Sequence, residues 1–240
     1  MCRHLAYLGP PASLRSVLID PPHGLYRQAW APRRQRHGTV NADGFGVGWY
    51  APDDPDPARY RRAVPIWGDE SFADVARVTS SGAVLAAVRC ATTGTDPGIA
   101  AVAPYASGGW LFSHNGVLDG WPAAAAGLAG TLSAGSLLGL EARVDSALLW
   151  ALTLKQLRDG AAPDEALATV IGLLDQGGGA AGRSDLRRLG LEDLPLGAGR
   201  VVLGQGGDLL EQFAAGRVIE PFGWQRFGGG GQPGPRVGAQ

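Results

Sequence analysis

The short apolar runs in the first half of the chain constrain its fold more than any other feature. Each run is too short for a typical helix and is bounded by glycine, proline or polar residues, which favour turns. The first run is expected to stop at Gly9-Pro10-Pro11, and the polar segment 52–57 is expected to close a hairpin. Glycines among the aromatic residues of the second run predict close approach of another backbone. The predicted strands are residues 5–8, 45–50, 83–88 and 110–113.

The pattern becomes helical after Gly120. Residues 143–158 place apolar side chains on one broad face and end near Gly160, as many helices end at a glycine. Residues 164–174 predict a second helix opened by Pro163, and residues 71–80 a shorter one that Ser71 could cap. Strands followed by helices in a chain of this size predict an α+β fold, with helices covering the sheets.

Composition narrows the classes of function. The chain has 240 residues, 45% hydrophobic and 18% charged, so it can bury a core. A net charge of −1 gives no reason to expect nucleic acid or a membrane surface as a partner. No segment reaches the roughly 20 apolar residues of a membrane span, and the first residues lack a secretory-signal pattern. Two cysteines fit neither a disulfide framework nor a metal site. We therefore expect a cytoplasmic protein with reduced thiols and without a metal or another cofactor.

Cys2 is the first candidate for chemistry. Initiator methionine is usually removed before a small residue, which would leave Cys2 with a free α-amino group. That amine titrates near pH ~8 and can act as a general base, so one residue would supply both nucleophile and base. The alternative is that a cysteine at the second position has no function.

The segment Arg89-Cys90-Ala91-Thr92-Thr93-Gly94 follows the predicted strand 83–88. A guanidinium at a strand end, beside hydroxyl side chains and loop amides, can grip a carboxylate at two points. The alternative is an arginine in a surface ion pair. Cys90 is interpreted as a small packed residue, because no histidine is near it in sequence.

The segment Ser113-His114-Asn115-Gly116 also follows a predicted strand. An asparagine amide and a glycine N–H can stabilise the oxyanion of acyl transfer. The alternative is a hairpin turn, since Asn-Gly after a strand is the strongest short signal for one.

Other polar residues have simpler interpretations. Asp145, near the start of the long helix, could act as a capping carboxylate or hold a substrate ammonium. Residues 41–49 mimic a phosphate loop only superficially, because their glycines run into a strand; a tight turn with close backbone packing is expected. His4, His23 and His37 have no metal-ligand spacing and predict structural roles.

Taken in order, these motifs resemble the class II glutamine amidotransferases, which are N-terminal nucleophile hydrolases. The resemblance covers about residues 2–150 and implies a four-layer αββα sandwich, in which two antiparallel sheets pack between helical layers. It rests on Cys2, Asn-Ala-Asp-Gly-Phe-Gly at 41–46, Arg-x-Ala-Thr-x-Gly at 89–94, Ser-His-Asn-Gly at 113–116 and Val-Asp-Ser at 144–146.

The resemblance also implies a role for each candidate residue. Cys2 would attack the γ-carbonyl of a glutamyl group, and its freed amine would shuttle the proton. Asn115 and the Gly116 amide would form the oxyanion hole. The remaining positions would bind the substrate: Arg89 its α-carboxylate with help from Thr92, Asp145 its α-ammonium, and Thr93 and His114 beside them. Thr93 stands where these enzymes often have histidine.

A closer resemblance is to the ergothioneine-pathway members of this family, which hydrolyse γ-glutamyl-hercynylcysteine S-oxide to glutamate and hercynylcysteine S-oxide. It rests on Met1-Cys2-Arg3-His4 and on residues 20–25, 31–38 and 67–69. It implies a small-molecule substrate and no obligate protein partner. Two alternatives stay open: a glutaminase subunit that supplies ammonia to a partner, and an inactive binding domain.

We expect one domain over residues 2–226 and a disordered tail over residues 227–240. The glycine-rich segment 177–226 is atypical for the family, and its strand candidates are residues 200–203 and 209–213. One hypothesis for this segment is a shifted reading frame. Resequencing the gene tests it, because an intact frame would dismiss the idea.

Overall fold

The computed structural model describes residues 2–33, 40–91, 94–118, 120–177, 200–205, 217–220 and 223–226. For residues 175–177 and the segments from residue 200 onward, only the backbone is described. The predicted strand 209–213 and the predicted tail 227–240 lie outside these residues, as do Met1, His37, Thr92 and Thr93.

The described strands form two sheets. The larger sheet has the order β3-β2-β4-β1-β8-β9 and is antiparallel throughout. The smaller has the order β5-β6-β7, in which β6 runs antiparallel to β5 and parallel to β7. The strands are β1 (Arg3–Ser13), β2 (Phe45–Trp49), β3 (Ala58–Arg62), β4 (Ser80–Val88), β5 (Tyr105–Ser107), β6 (Trp110–Asn115), β7 (Arg200–Gln205), β8 (Arg217–Glu220) and β9 (Gly223–Arg226).

Helices cover the outer face of each sheet. One apolar cluster joins β1, β2 and β4 to α1, α2 and α3, and a second joins β5 and β6 to α4, α6 and α7. A third, formed by Ala6, Leu85 and Leu111, lies between the sheets. The predicted α+β fold with four αββα layers is confirmed. The helices are α1 (Leu14–Leu18), α2 (Leu25–Gln28), α3 (Phe72–Val78), α4 (Ala126–Ala129), α5 (Ala134–Leu138), α6 (Asp145–Arg158) and α7 (Pro163–Gly177).

Strand β1 is longer than predicted. The expectation that Gly9-Pro10-Pro11 ends it is wrong, because the strand continues to Ser13 after an irregularity in its pairing with β4. The Tyr7 hydroxyl donates a hydrogen bond to the Pro10 carbonyl at 2.6 Å and so holds the irregular segment. A bulge of this kind lets a strand absorb residues that cannot follow the regular ladder.

The glycines of β2 bring this strand close to the second sheet. A Cβ at Gly46 would collide with the Ala103 carbonyl oxygen, and one at Gly48 would lie 2.8 Å from the Leu111 side chain. The predicted close approach is therefore confirmed. The hairpin is also confirmed, since β2 and β3 pair on either side of the polar segment.

The two long helices are confirmed as α6 and α7, and residues 200–203 fall within the strand β7. Ser71 does not cap α3; the Asp69 carboxylate accepts the Phe72 N–H instead, at 3.2 Å. The pattern missed α1 and α2, which have five and four residues and are too short to show a helical period. None of the helices in the described residues is long and apolar enough to cross a membrane.

Candidate active site

Cys2 directly precedes β1 and lies against the end of β4. Arg3 pairs with Val88 in the antiparallel ladder, so the residue before Arg3 meets the segment that follows Val88. The Cys2 Sγ accepts a hydrogen bond from the Cys90 N–H at 3.3 Å and donates one to the Cys90 carbonyl at 3.5 Å. Burial raises the pKa of the Cys2 thiol, while the Cys90 N–H and the charge of Arg89 act in the opposite direction. The residue is still partly exposed, so a substrate can reach it.

Arg89 is the first residue after β4, and its guanidinium is buried. Because Arg89 is only 8% exposed, the alternative of a surface ion pair is wrong. Its Nη2 donates to the Asp96 carbonyl at 2.7 Å and to the Thr95 hydroxyl at 3.2 Å. Its Nη1 is buried without a hydrogen-bond partner among the described residues. A buried donor of this kind is costly unless a ligand satisfies it, so Nη1 has capacity for an anion.

The loop before β2 holds the Arg89 backbone in place. Arg89 N–H donates to the Gly44 carbonyl at 2.7 Å, and Asp43 N–H donates to the Arg89 carbonyl at 3.0 Å. The Asp43 carboxylate in turn accepts the Ala91 N–H at 2.8 Å. Gly44 has a φ of 136°, which other residues rarely adopt. The predicted tight turn with close backbone packing therefore fixes the position of the Arg89 backbone.

The end of β6 carries His114, Asn115 and Gly116. His114 Nδ1 lies 2.9 Å from the Ser146 hydroxyl, which places the ring against the start of α6. Asn115 is the last residue of β6, and its side chain makes no hydrogen bond to another described residue. Gly116 follows in an exposed bend. The alternative of a hairpin at Asn115-Gly116 is wrong, because β6 is followed by turns and α4.

Asp145 is the first residue of α6, and backbone N–H groups hold its carboxylate. Its Oδ2 accepts from the Leu118 N–H at 2.8 Å, and its Oδ1 accepts from the Ser146 N–H at 2.7 Å. A carboxylate is stabilised at a helix N-terminus by the helix dipole. Asp145 forms no ion pair with any described residue, Arg89 included. Its negative charge is therefore available to a cation.

A buried polar contact joins the two sheets behind Cys2. His4 Nδ1 lies 3.3 Å from the Ser113 hydroxyl, and both residues are buried. Burial lowers the pKa of His4 from 6.5 to about 4, and the neighbouring His114 and Arg3 add to that effect. Burial also lowers the pKa of His114, against the influence of Asp145. The His4 imidazole is therefore neutral near pH 7.

Electrostatic interactions show which predicted residues lie near one another. The charge of Arg89 lowers the pKa of the Cys2 thiol. The charges of Arg89 and Asp145 also affect the pKa of Tyr105, which is buried between the smaller sheet and the helices that cover it. Burial is the main cause that raises the pKa of Tyr105. Thr92 and Thr93 lie outside the described residues, so their predicted contacts stay predictions.

Three residues of this region, Tyr105, Ser146 and His4, are not among the candidate site residues that the sequence predicts. Ser146 shares a motif with Asp145 that indicates only a helix start, and Tyr105 carries no local signal. His4 has no ligand spacing, so the sequence predicts only a structural role for it. Alternate residues of a strand point to the same face of a sheet, so the position of His4 two residues after Cys2 could have shown that the two share a face.

The arrangement suits nucleophilic acyl chemistry on a charged substrate. A thiol can act as a nucleophile, a buried guanidinium can bind an anion, and a carboxylate can bind a cation. An asparagine amide, such as that of Asn115, can stabilise a developing oxyanion. No cluster of three or more histidine, cysteine or acidic side chains that could hold a metal occurs in the part of the chain that the structure describes.

Comparisons with known sequences give related hydrolases. The chain is 53% identical over 120 residues to the gamma-glutamyl-hercynylcysteine sulfoxide hydrolase of Mycolicibacterium smegmatis. The matched region covers 50% of this chain and 52% of the relative. The hydrolase of the same name from Mycobacterium tuberculosis is 50% identical over 119 residues, covering 50% of each chain. A probable glutamine amidotransferase of Saccharomyces cerevisiae is 33% identical over 101 residues, covering 39% of this chain and 28% of the relative. No family model matches the chain.

A solved structure has the same fold. It is a glutamine aminotransferase class-II domain protein from Silicibacter pomeroyi, with a TM-score of 0.54 and 27% sequence identity, covering 77% of this chain and 68% of the other. The chain spans about half the length of the curated hydrolases that it matches. The resemblance to class II glutamine amidotransferases that the motifs predict is confirmed by these findings.

The buried neutral His4 predicts a pH dependence of stability. The unfolded chain binds a proton at this histidine below about pH 6.5, whereas the folded protein does so only near pH 4. The free energy of unfolding therefore falls as the pH drops through this window. Urea denaturation at pH 7 and pH 5 should show that the His4→Asn variant loses less stability than the wild type, by about 2 kcal/mol.

Carboxylates that titrate in the same pH range contribute equally to the loss of stability in wild type and in His4→Asn, so their contribution cancels in the comparison. An equal loss of stability in wild type and His4→Asn between pH 7 and pH 5 would show that His4 binds its proton at the ordinary pKa, which contradicts a buried neutral ring.

Proposed function

We propose that the protein is an N-terminal-cysteine amidohydrolase that cleaves the γ-glutamyl amide of γ-glutamyl-hercynylcysteine S-oxide, releasing glutamate and hercynylcysteine S-oxide. The contact of the Cys2 thiol with the backbone that follows Arg89 carries the proposal, because a thiol beside a buried guanidinium is what attack on an anionic acyl substrate requires. The similarity to hydrolases named for this reaction supports the choice of substrate.

The nucleophile is the Cys2 thiolate, and removal of Met1 would expose the base. The α-amine of Cys2 then takes the thiol proton, the sulfur attacks the γ-carbonyl carbon, and the amine gives the proton to the leaving nitrogen. Water hydrolyses the resulting thioester and releases glutamate. Burial raises the pKa of the Cys2 thiol, which opposes formation of the thiolate, and the α-amine is the base that removes the proton in this proposal.

The glutamyl group is held by its two charges. Arg89 Nη1, which has no partner among the described residues, would bind the α-carboxylate, with Thr92 beside it. Asp145 would bind the α-ammonium, since backbone N–H groups already fix its carboxylate. Thr93 and His114 would complete this pocket. One arginine and one acid are the pair that a zwitterionic amino-acid group requires.

The oxyanion would be received at the end of β6. Asn115 Nδ2 and the Gly116 N–H are the donors in this proposal, and the Asn115 amide is not used by another described side chain. Donors fixed by a strand end need no reorganisation when charge develops on the carbonyl oxygen.

Hydrolysis of glutamine is the second candidate. The similarity to a probable glutamine amidotransferase of yeast and to the bacterial class-II domain favours it. The same Arg89 and Asp145 would bind glutamine, so the glutamyl pocket does not distinguish the two substrates. We propose the sulfoxide substrate with no obligate protein partner, and we propose that the enzyme acts in the cytoplasm with both cysteines reduced.

Replacing the nucleophile tests the mechanism. Cys2→Ala should abolish glutamate release from γ-glutamyl-hercynylcysteine S-oxide, because neither the backbone nor another thiol replaces the sulfur. Intact-mass measurement of the wild type should show that Met1 is absent. Cys90→Ser is the matched control: it should remain active, because it retains the backbone N–H and carbonyl of residue 90 that hydrogen-bond to Cys2. Full hydrolysis by Cys2→Ala would exclude Cys2 as the nucleophile.

Replacing Arg89 tests the carboxylate site. Arg89→Gln should raise KM at least about tenfold, because the buried carboxylate loses its charged partner. Steady-state kinetics of glutamate release measures this, and thermal melting checks that the loop at Thr95 and Asp96 still folds. Arg77→Gln, which removes an exposed arginine paired with Asp74 on α3, is the control and should leave KM unchanged. An unchanged KM in Arg89→Gln would mean that another residue binds the carboxylate.

A further inference from the structure

The contact between His4 and Ser113 crosses from one sheet to the other. His4 is 5% exposed and Ser113 is 0% exposed, and 3.3 Å separates the His4 Nδ1 from the Ser113 hydroxyl. One residue lies on β1, which follows the nucleophile, and the other lies on β6, which ends at the proposed oxyanion donor. The contact therefore joins the two strands that carry the proposed nucleophile and the proposed oxyanion donor, whose distance from each other must be correct for acyl transfer.

Strand alternation shows that Cys2 and Asn115 lie on the same facing rows as His4 and Ser113. Ala6 on β1 and Leu111 on β6 belong to the apolar cluster between the sheets. Side chains two residues apart point to the same face of a strand. The facing rows are therefore Ala6, His4 and Cys2 on one sheet and Leu111, Ser113 and Asn115 on the other. Along these rows Ala6 faces Leu111, and two residues further His4 faces Ser113. After two more residues, Cys2 faces Asn115.

Cys2 lies beyond the strand ladder, so its position depends on the contacts of its Sγ with Cys90 and on the placement of the start of β1. The pairing of β1 with β4 begins at Arg3 and Val88, so no ladder bond of β1 fixes the residue before Arg3. Chain segments at the ends of elements open more readily than their centres. An apolar contact is non-directional, whereas a buried hydrogen bond admits few arrangements of its two strands. The His4–Ser113 contact is such a directional contact, and it lies two residues from Cys2.

We propose that the His4–Ser113 hydrogen bond is a positioning contact that fixes the distance between the Cys2 thiol and the oxyanion donor Asn115. The proposal rests on the proposed function. His4 touches neither the glutamyl group nor the reacting atoms in this account; it acts through the two strands. A misplacement of about 1 Å at a reacting centre can cost about 100-fold in rate.

The first test separates turnover from binding. His4→Leu and Ser113→Ala should each lower kcat about 10- to 100-fold and leave KM within about twofold, because Arg89 and Asp145 still hold the glutamyl group. The double variant should be no slower than the slower single variant, since both remove one contact. His4→Asn, which keeps a polar atom near the position of Nδ1, should recover most of kcat.

A matched control addresses the loss of a buried hydroxyl group. Thr153 in α6 is 0% exposed, and its hydroxyl donates to the Leu149 carbonyl at 2.8 Å. Thr153→Val should lower the melting temperature in the same way as Ser113→Ala and leave kcat unchanged. Multiplicative loss of kcat in the double variant, or a rise in KM equal to the fall in kcat, would overturn the positioning role.

The second test does not depend on turnover. Hydrogen exchange followed by mass spectrometry should show faster exchange of the amides of residues 3–6 in His4→Leu and in Ser113→Ala, but not in Thr153→Val. If the wild type released no glutamate from either substrate, the proposed function would fail, while this readout would still decide on the restraint. Unchanged exchange at residues 3–6 in both variants would overturn the proposal whatever kcat shows.

Discussion

The antiparallel pairing of β1 with β4 is the contact on which the rest of the site depends. Arg3 lies opposite Val88, and this register puts Cys2 beside Arg89 and Cys90 although a large part of the chain separates them. A shift of one residue would turn Cys2 to the other face of the sheet, away from the second sheet. The register is itself held by apolar side chains on both faces of β1 and β4, so packing of the core determines where the Cys2 thiol lies.

The second constraint is that the two charged groups of the site are fixed by backbone groups and do not neutralise each other. Arg89 is held through the Asp96 carbonyl, and Asp145 through the N–H groups of Leu118 and Ser146. Had the two formed an ion pair, their charges would be compensated before a ligand arrived. Because they are held apart, Arg89 and Asp145 match the two opposite charges of an amino-acid group. The His4 imidazole is neutral at neutral pH and adds no charge near the thiol.

The sequence predicted the main strands and helices from its short apolar runs and helical periods, and its resemblance to the class II glutamine amidotransferases implied the αββα layers. It also grouped Cys2, Arg89, Asn115 and Asp145 through the order of their motifs. It could not predict α1 and α2, which are too short for a period, or the continuation of β1 through a pair of prolines, which depends on a bulge. The His4–Ser113 contact was missed because it requires knowing which sheet faces which. Long-range pairing of this kind has no local signal.

Parallel measurement of glutamate release from γ-glutamyl-hercynylcysteine S-oxide and from glutamine, at equal concentrations of the purified protein and of each substrate, tests the central claim most directly. The account predicts rapid release from the sulfoxide and slow release from glutamine. Preference for glutamine would contradict the proposed substrate while retaining the thiol mechanism, and the search would turn to a partner that uses ammonia. Release from neither substrate would contradict the assignment of this site to γ-glutamyl amide hydrolysis.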